Sequence, residues 1–186
     1  AVLYYAPRIF QDMGMGNPMV QTVIMGIVNI SFTLVAVFTV EKLGRKPLLI
    51  FGSIGMAAGA LGVALTFGNE ALSTVTMLSI MVYSASFMFS WGPIAWVLIA
   101  ELFPNTIRGA AVAIAVAFQW IFNFIVSSTF VPMFNMHLTP GDDFGHWFTY
   151  GLYGVICILA AIFVWKLVPE TKGKTLEDMS KLWRKE

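Results

Sequence analysis

Charge is what this chain has least of. Only 11% of its 186 residues are Asp, Glu, Lys or Arg, where a soluble domain of that length carries about a quarter. The formal net charge is +1, so bulk charge points neither to nucleic acid nor to an acidic partner. Cysteine is nearly absent. Cys157 stands alone inside an apolar run, and one thiol forms no internal disulfide and supplies no zinc spacing. His137 and His146 lack a metal-ligand spacing and read as solvated loop residues. No Ser-His-Asp spacing, HExxH motif or phosphate-cradling glycine loop occurs. The expectation is therefore no enzyme, no metal and no cofactor. The opening residues, AVLYYAPRIF, have neither a starting Met nor a positive n-region, so they do not read as a signal peptide.

Apolar residues are what the chain has instead. They make up 58% of it, and mean hydropathy is +0.79. A soluble core of this size cannot absorb that much apolar surface, whereas a bilayer can. The apolar runs cover 1–10, 19–40, 48–68, 73–103, 110–131 and 147–168. All but the first are long enough to cross a hydrocarbon core of ~30 Å at ~1.5 Å per residue. In lipid, backbone groups must bond internally, so the runs should be helices. The expected fold is all-α: a polytopic transmembrane bundle over 1–168, then a polar tail over 169–186. The short first run reads as the end of a helix, and the chain as a fragment.

The few charges are ordered. Ten of the 11 Lys and Arg fall on alternate loops and the tail, from Lys42, Arg45 and Lys46 through Arg108 to Lys166 and beyond. The positive-inside rule places those loops and the C-terminus in the cytoplasm, for a multi-pass protein of the plasma membrane. Gly55 and Gly59 form a small-xxx-small pair, flanked by Gly52 and Gly62; packing glycines are the plain reading. Gly92-Pro93 should break the longest run. In the tail, Thr175 and Asp178 resemble a capping box, with Leu176, Met179 and Trp183 on one face of a short amphipathic helix.

Polar side chains inside apolar runs need a reason. Counted from the charged run ends, Tyr4, Asn29, Trp96 and Gln119 lie ~12–18 Å deep, near the midplane. None is charged. Amide and phenol groups can exchange hydrogen bonds with hydroxyls, and Trp offers a flat apolar face with one donor. That mixture suits a neutral polyol better than an ion. The residues alone leave Asn29 open between ligand contact and an interhelical bond. Gln119 shares a stripe with Asn123 and Ser127, which in lipid must face protein or water.

Four segments then carry a resemblance: YYAPRIF at 4–10, EKLGRKP at 41–47, WGPIAWVLIAELFPNTIRG at 91–109 and VPETKGKTLEDMSKLW at 168–183. Together they resemble the C-terminal half of the sugar porter family of the major facilitator superfamily. The resemblance implies the C-terminal six-helix half of that fold, with its first helix truncated. It implies transport of a monosaccharide, a xylose-like pentose or a hexose, by alternating access, with proton symport. It places Tyr4, Asn29, Gly92, Trp96, Gln119 and Trp120 at the sugar. It assigns Glu41, Arg45, Glu101, Arg108 and Glu170 to ion pairs closing the cytosolic gate. Implied partners are the sugar, a proton, the lipid bilayer and the absent N-terminal half, which in symporters holds the proton-binding acid. A facilitative sugar carrier, a sugar sensor or a carrier of another small solute shares much of this pattern. An acid at Glu101, near an apolar end, calls for a charged partner: Arg108, or a base from the other half.

Overall fold

A computed structural model describes residues 18–103, 105–138 and 144–173. Tyr4, the 1–10 run and the 174–186 part of the tail with its amphipathic pattern lie outside them. Among the described residues all regular structure is helical. We number the α-helices α1 (Pro18–Leu43), α2 (Arg45–Thr66), α3 (Ser73–Phe89), α4 (Trp91–Leu102), α5 (Arg108–Phe134) and α6 (Phe144–Leu167). A 3-10 turn, Glu70–Leu72, leads into α3. With α3 and α4 taken as one broken span, five segments are long and apolar enough to cross a membrane.

The break in the longest span falls at Ser90, with φ −130° and ψ −86°, rather than at Gly92-Pro93. Proline accounts for the offset. Pro93 has no N–H to give the carbonyl four residues back, and its ring crowds that carbonyl. That residue is Phe89, the last of α3. Pro93 itself sits in the first turn of α4, where a missing donor costs nothing.

α2 is the packing centre, with α6 and α3 against it and α1 against α3. The α2–α3 contact is unusually close, because four glycines face a serine-bearing ridge. A Cβ on Gly52 would fall 2.3 Å from the Ser90 Cβ, and one on Gly55 2.3 Å from the Ser86 Oγ. On Gly59 it would lie 2.7 Å from the Ser79 carbonyl oxygen and the Tyr83 nitrogen. Glycine is thus what lets the two backbones touch. Core residues at one end are Met25, Val63, Ile80, Phe130 and Tyr150; at the other they are Leu48, Leu49, Ile94, Leu98 and Val164. His146 is not a solvated loop residue. It lies in the first turn of α6, its ring centroid 4.3 Å from that of Phe67 and 4.2 Å from that of Phe134. Large apolar side chains on the outer faces of α1, α5 and α6 are exposed, as expected for surfaces that meet lipid or another half-bundle.

Candidate functional site

The mid-span polar residues divide into those that are tied and those that are open. Asn29, near the centre of α1, accepts a 2.7 Å hydrogen bond on its Oδ1 from the Ser84 hydroxyl of α3. Its side-chain NH2 group makes no bond among the described residues. The amide therefore bridges two helices with one end and keeps two donors for another partner. Sequence reading missed Ser84; its only signal was a small polar residue deep in an apolar run.

Gly92 and Trp96 lie one turn apart on α4, just past the break. A Cβ on Gly92 would meet nothing closer than 3.4 Å, so packing does not demand glycine there. Trp96 is 40% exposed, and its N–H makes no hydrogen bond among the described residues. On α5, Gln119 is exposed and its amide makes no hydrogen bond among the described residues, and Trp120 is 62% exposed. One turn on, Asn123 Oδ1 accepts a 3.2 Å bond from the Ser127 hydroxyl. Three open polar or aromatic groups thus stand on α4 and α5, and no hydrogen bond among the described residues joins them. An open amide at mid-span is costly in hydrocarbon, so Gln119 requires water, protein or a hydroxyl-bearing ligand beside it.

The charged residues form a tighter cluster at the basic end. Arg45, the first residue of α2, gives its Nη2 to Glu101 Oε1 at 2.6 Å. The other oxygen of Glu101 accepts the buried Thr171 hydroxyl at 2.6 Å. The partner of Glu101 is therefore Arg45. Arg108 instead points its Nε at the Phe103 carbonyl, 3.4 Å away. Glu41, in the last turn of α1, is exposed and makes no ion pair among the described residues. Thr171 was not anticipated, since nothing local marks a threonine as a carboxylate's donor.

Glu170 makes no ion pair in this cluster. Its carboxylate caps α2: Oε1 accepts the Arg45 backbone N–H at 3.0 Å and Oε2 that of Lys46 at 3.0 Å. The Lys172 N–H adds a 2.9 Å bond from its own loop. Orphan donors and the helix dipole make an N-terminus a natural anion seat. Gly44 clears the approach. Its φ is +91°, and a Cβ there would lie 2.7 Å from Glu170 Oε2. Burial pushes the Glu170 carboxyl up, but backbone N–H groups of Lys172, Arg45, Lys46 and Thr171 together hold it below its ordinary 4.5.

That shift has a sign. A carboxylate with a lowered folded pKa stabilises fully above its unfolded pKa, and loses the effect as pH falls through the folded value. Glu170→Ala should therefore cost ~1 kcal/mol at pH 7, the usual worth of a helix cap. The cost should fade below the unfolded pKa. Thermal melts at pH 7 and at pH 3–4 read this directly, and a deficit that persists unchanged in acid would rule out the carboxylate cap.

Known proteins place this architecture. The family described as sugar (and other) transporter matches residues 1–183. The chain is 49% identical to the D-xylose-proton symporter of Escherichia coli (strain K12), over 100% of this chain and 38% of that protein. It is 40% identical to the glucose facilitated diffusion protein of Zymomonas mobilis, over 99% of this chain and 39% of that one. The backbone is similar to that of the proton:xylose symporter XylE bound to 6-bromo-6-deoxy-D-glucose, with TM-score 0.86, 48% identity and coverage of 98% of this chain and 39% of the other. Against an inward open conformation of XylE from E. coli the TM-score is 0.78, with 45% identity over 98% of this chain and 42% of that one. The chain thus spans about two-fifths of the length of the relatives it matches. These relatives are membrane carriers rather than enzymes. The five membrane-length helical segments and the match over nearly every residue leave one conclusion: the chain belongs to the sugar transporter family of the major facilitator superfamily.

Proposed function

We propose that this chain is the C-terminal half of a monosaccharide carrier and supplies one wall of its sugar site. Sugar binds between two half-bundles, which rock about it to give alternating access. The observation that carries the reading is the open Gln119 amide at mid-span, together with the exposed Trp96 ring and the free NH2 group of Asn29. These groups hydrogen-bond to hydroxyls and stack on a sugar face. Tyr4, Gly92 and Trp120 complete the proposed wall. Similarity to a D-xylose-proton symporter favours a xylose-like pentose or hexose moved with a proton. The similarity to a facilitated diffusion protein supports facilitated entry as the second reading.

The basic end is proposed to face the cytoplasm of a plasma membrane; the sidedness of ten of the 11 basic residues supports this. There, Glu41, Arg45, Glu101, Arg108 and Glu170 form the cytosolic gate. Within this half the gate is a scaffold: Arg45 and Thr171 fix Glu101, and Glu170 fixes the start of α2. Glu41 and Arg108 are left for partners in the other half.

Sugar uptake by the complete carrier tests the site. Gln119→Ala leaves a sugar hydroxyl unsatisfied, worth ~1–3 kcal/mol, or roughly 5–150-fold in affinity. Trp96→Ala should weaken affinity on the same scale. Unchanged sugar affinity in both variants, at equal surface expression, overturns the assignment. Proteoliposomes with and without an imposed pH gradient distinguish symport from facilitated diffusion.

A further inference from the structure

A well-formed cavity among the described residues lies apart from the sugar wall. It is an apolar groove of about 540 Å³ between α2, α4 and α6, within the roughly 300–1,000 Å³ usual for ligand sites. Leu49, Trp91, Leu98, Ile99, Phe163 and Leu167 are among its lining residues, and every lining residue is apolar. Trp96, Gln119 and Asn29 do not line it.

Three features of the groove point to one occupant. The first is its length. Trp91 and Leu102, the two ends of α4, both line it, so it runs ~17 Å at ~1.5 Å per residue. That is about half of a ~30 Å hydrocarbon core, the depth of one leaflet. The second is its lining: a trough with no polar side chain in a membrane-spanning bundle suits an acyl chain and nothing hydrophilic. The third is its rim. Lys46 lies one turn beyond Leu49 on α2, and Lys166 directly precedes the lining residue Leu167 on α6, both at the basic end. The two carboxylates next in sequence to the lining residues Leu102 and Pro169 are already engaged, Glu101 by Arg45 and Thr171, and Glu170 by backbone amides. An apolar slot one leaflet deep under two lysines matches a chain below a phosphate, and basic pockets between membrane helices attract anionic head groups.

We propose that this groove is a binding site for an anionic phospholipid, with one acyl chain between α4 and α6 and its phosphate between Lys46 and Lys166. The site is separate from the sugar wall, and its failure would leave the transport reading untouched.

Native mass spectrometry of the complete purified carrier tests it. The probes are phosphatidylglycerol and phosphatidylcholine with the same palmitoyl and oleoyl chains. Phosphatidylglycerol should be retained at least roughly ten-fold better, as expected when two lysines face a net anionic head group rather than a zwitterionic one. Lys46→Gln combined with Lys166→Gln should abolish the preference and leave phosphatidylcholine retention unchanged. Ala95→Phe, which fills the groove, should reduce retention of both lipids. A measurement without a groove-filling change stands behind these. In nanodiscs of phosphatidylglycerol with brominated chains, tryptophan emission should be quenched, and Trp91→Phe should lower the quenched amplitude, leaving that of the lipid-facing tryptophans. Equal retention of the two lipids, a preference surviving the double lysine change, or quenching insensitive to Trp91→Phe overturns the proposal. So does phosphatidylglycerol binding that appears only after residues 174–186 are deleted, which would make the chain's own tail the occupant.

Discussion

Gly59→Val is expected to stop the half-bundle from assembling. A Cβ at this position would lie 2.7 Å from the Ser79 oxygen, 2.7 Å from the Tyr83 nitrogen and 2.9 Å from the Tyr83 Cα. All three are backbone atoms, so no rotamer change relieves the clash and α2 must move off α3. Overpacking a fitted interface costs ~1–3 kcal/mol even for a small addition. Valine brings a branched side chain to the contact that organises the other helices. Gly59→Ala should show a graded loss. Gly55→Ala should be milder, because its nearest obstacle, the Ser86 hydroxyl, can rotate away. Gly151 has nothing within 4 Å, so Gly151→Ala serves as the silent control. Fluorescence-detected gel filtration of the complete carrier reads the series. A monodisperse Gly59→Val peak at wild-type yield would refute the close-packing account.

Glu101→Ala is expected to be the most damaging single change at the basic end. It removes the partner of Arg45, whose side chain is only 16% exposed and whose Nε is buried without a hydrogen bond. It also strips the buried Thr171 hydroxyl of its acceptor. Breaking a fully buried pair costs ~3–5 kcal/mol because a charge is left uncompensated. Glu101 is itself 29% exposed, so solvent screens part of that and ~1–3 kcal/mol is expected. Arg45→Ala should cost less, since Glu101 keeps Thr171 and partial access to water. Thermal unfolding of both single variants and the double variant gives the coupling energy, which should exceed ~1 kcal/mol. Strict additivity would mean the two side chains act independently, contrary to a 2.6 Å ion pair.

The glycine ridge and the Glu101 cluster differ greatly in how visible they are in the sequence. The glycine spacing at 52, 55, 59 and 62 is plain to read, and close helix contact is its ordinary meaning. Which helix it meets is not readable: the serine ridge lies on α3, and only the helix rotation brings Ser79 and Ser86 opposite the glycines. Glu101 advertised the need for a partner through its position at an apolar end. It did not name Arg45, 56 residues away in sequence. Arg108 was closer along the chain and was the plausible choice, but α4 ends at Leu102 and the turn aims Arg108 at the Phe103 carbonyl. Glu170 looked like one more gate charge. Its role as the cap of α2 depends on Gly44 leaving room for a carboxylate 125 residues downstream of Arg45.

By itself the sequence determined the class of this protein. Run length, hydropathy and the sidedness of Lys and Arg depend only on local composition and on the solvent, and a bilayer admits no spanning backbone here but helix. The proline break was implied for the same reason, since a missing donor acts on its own turn. Tertiary structure decided the partners: Asn29 with Ser84, Glu101 with Arg45 and Thr171, Glu170 with the start of α2. It also separated the open Gln119 and Trp96 from the apolar groove beneath the lysines. Such pairings are set by how helices cross and rotate against one another, and each depends on side chains from several helices at once.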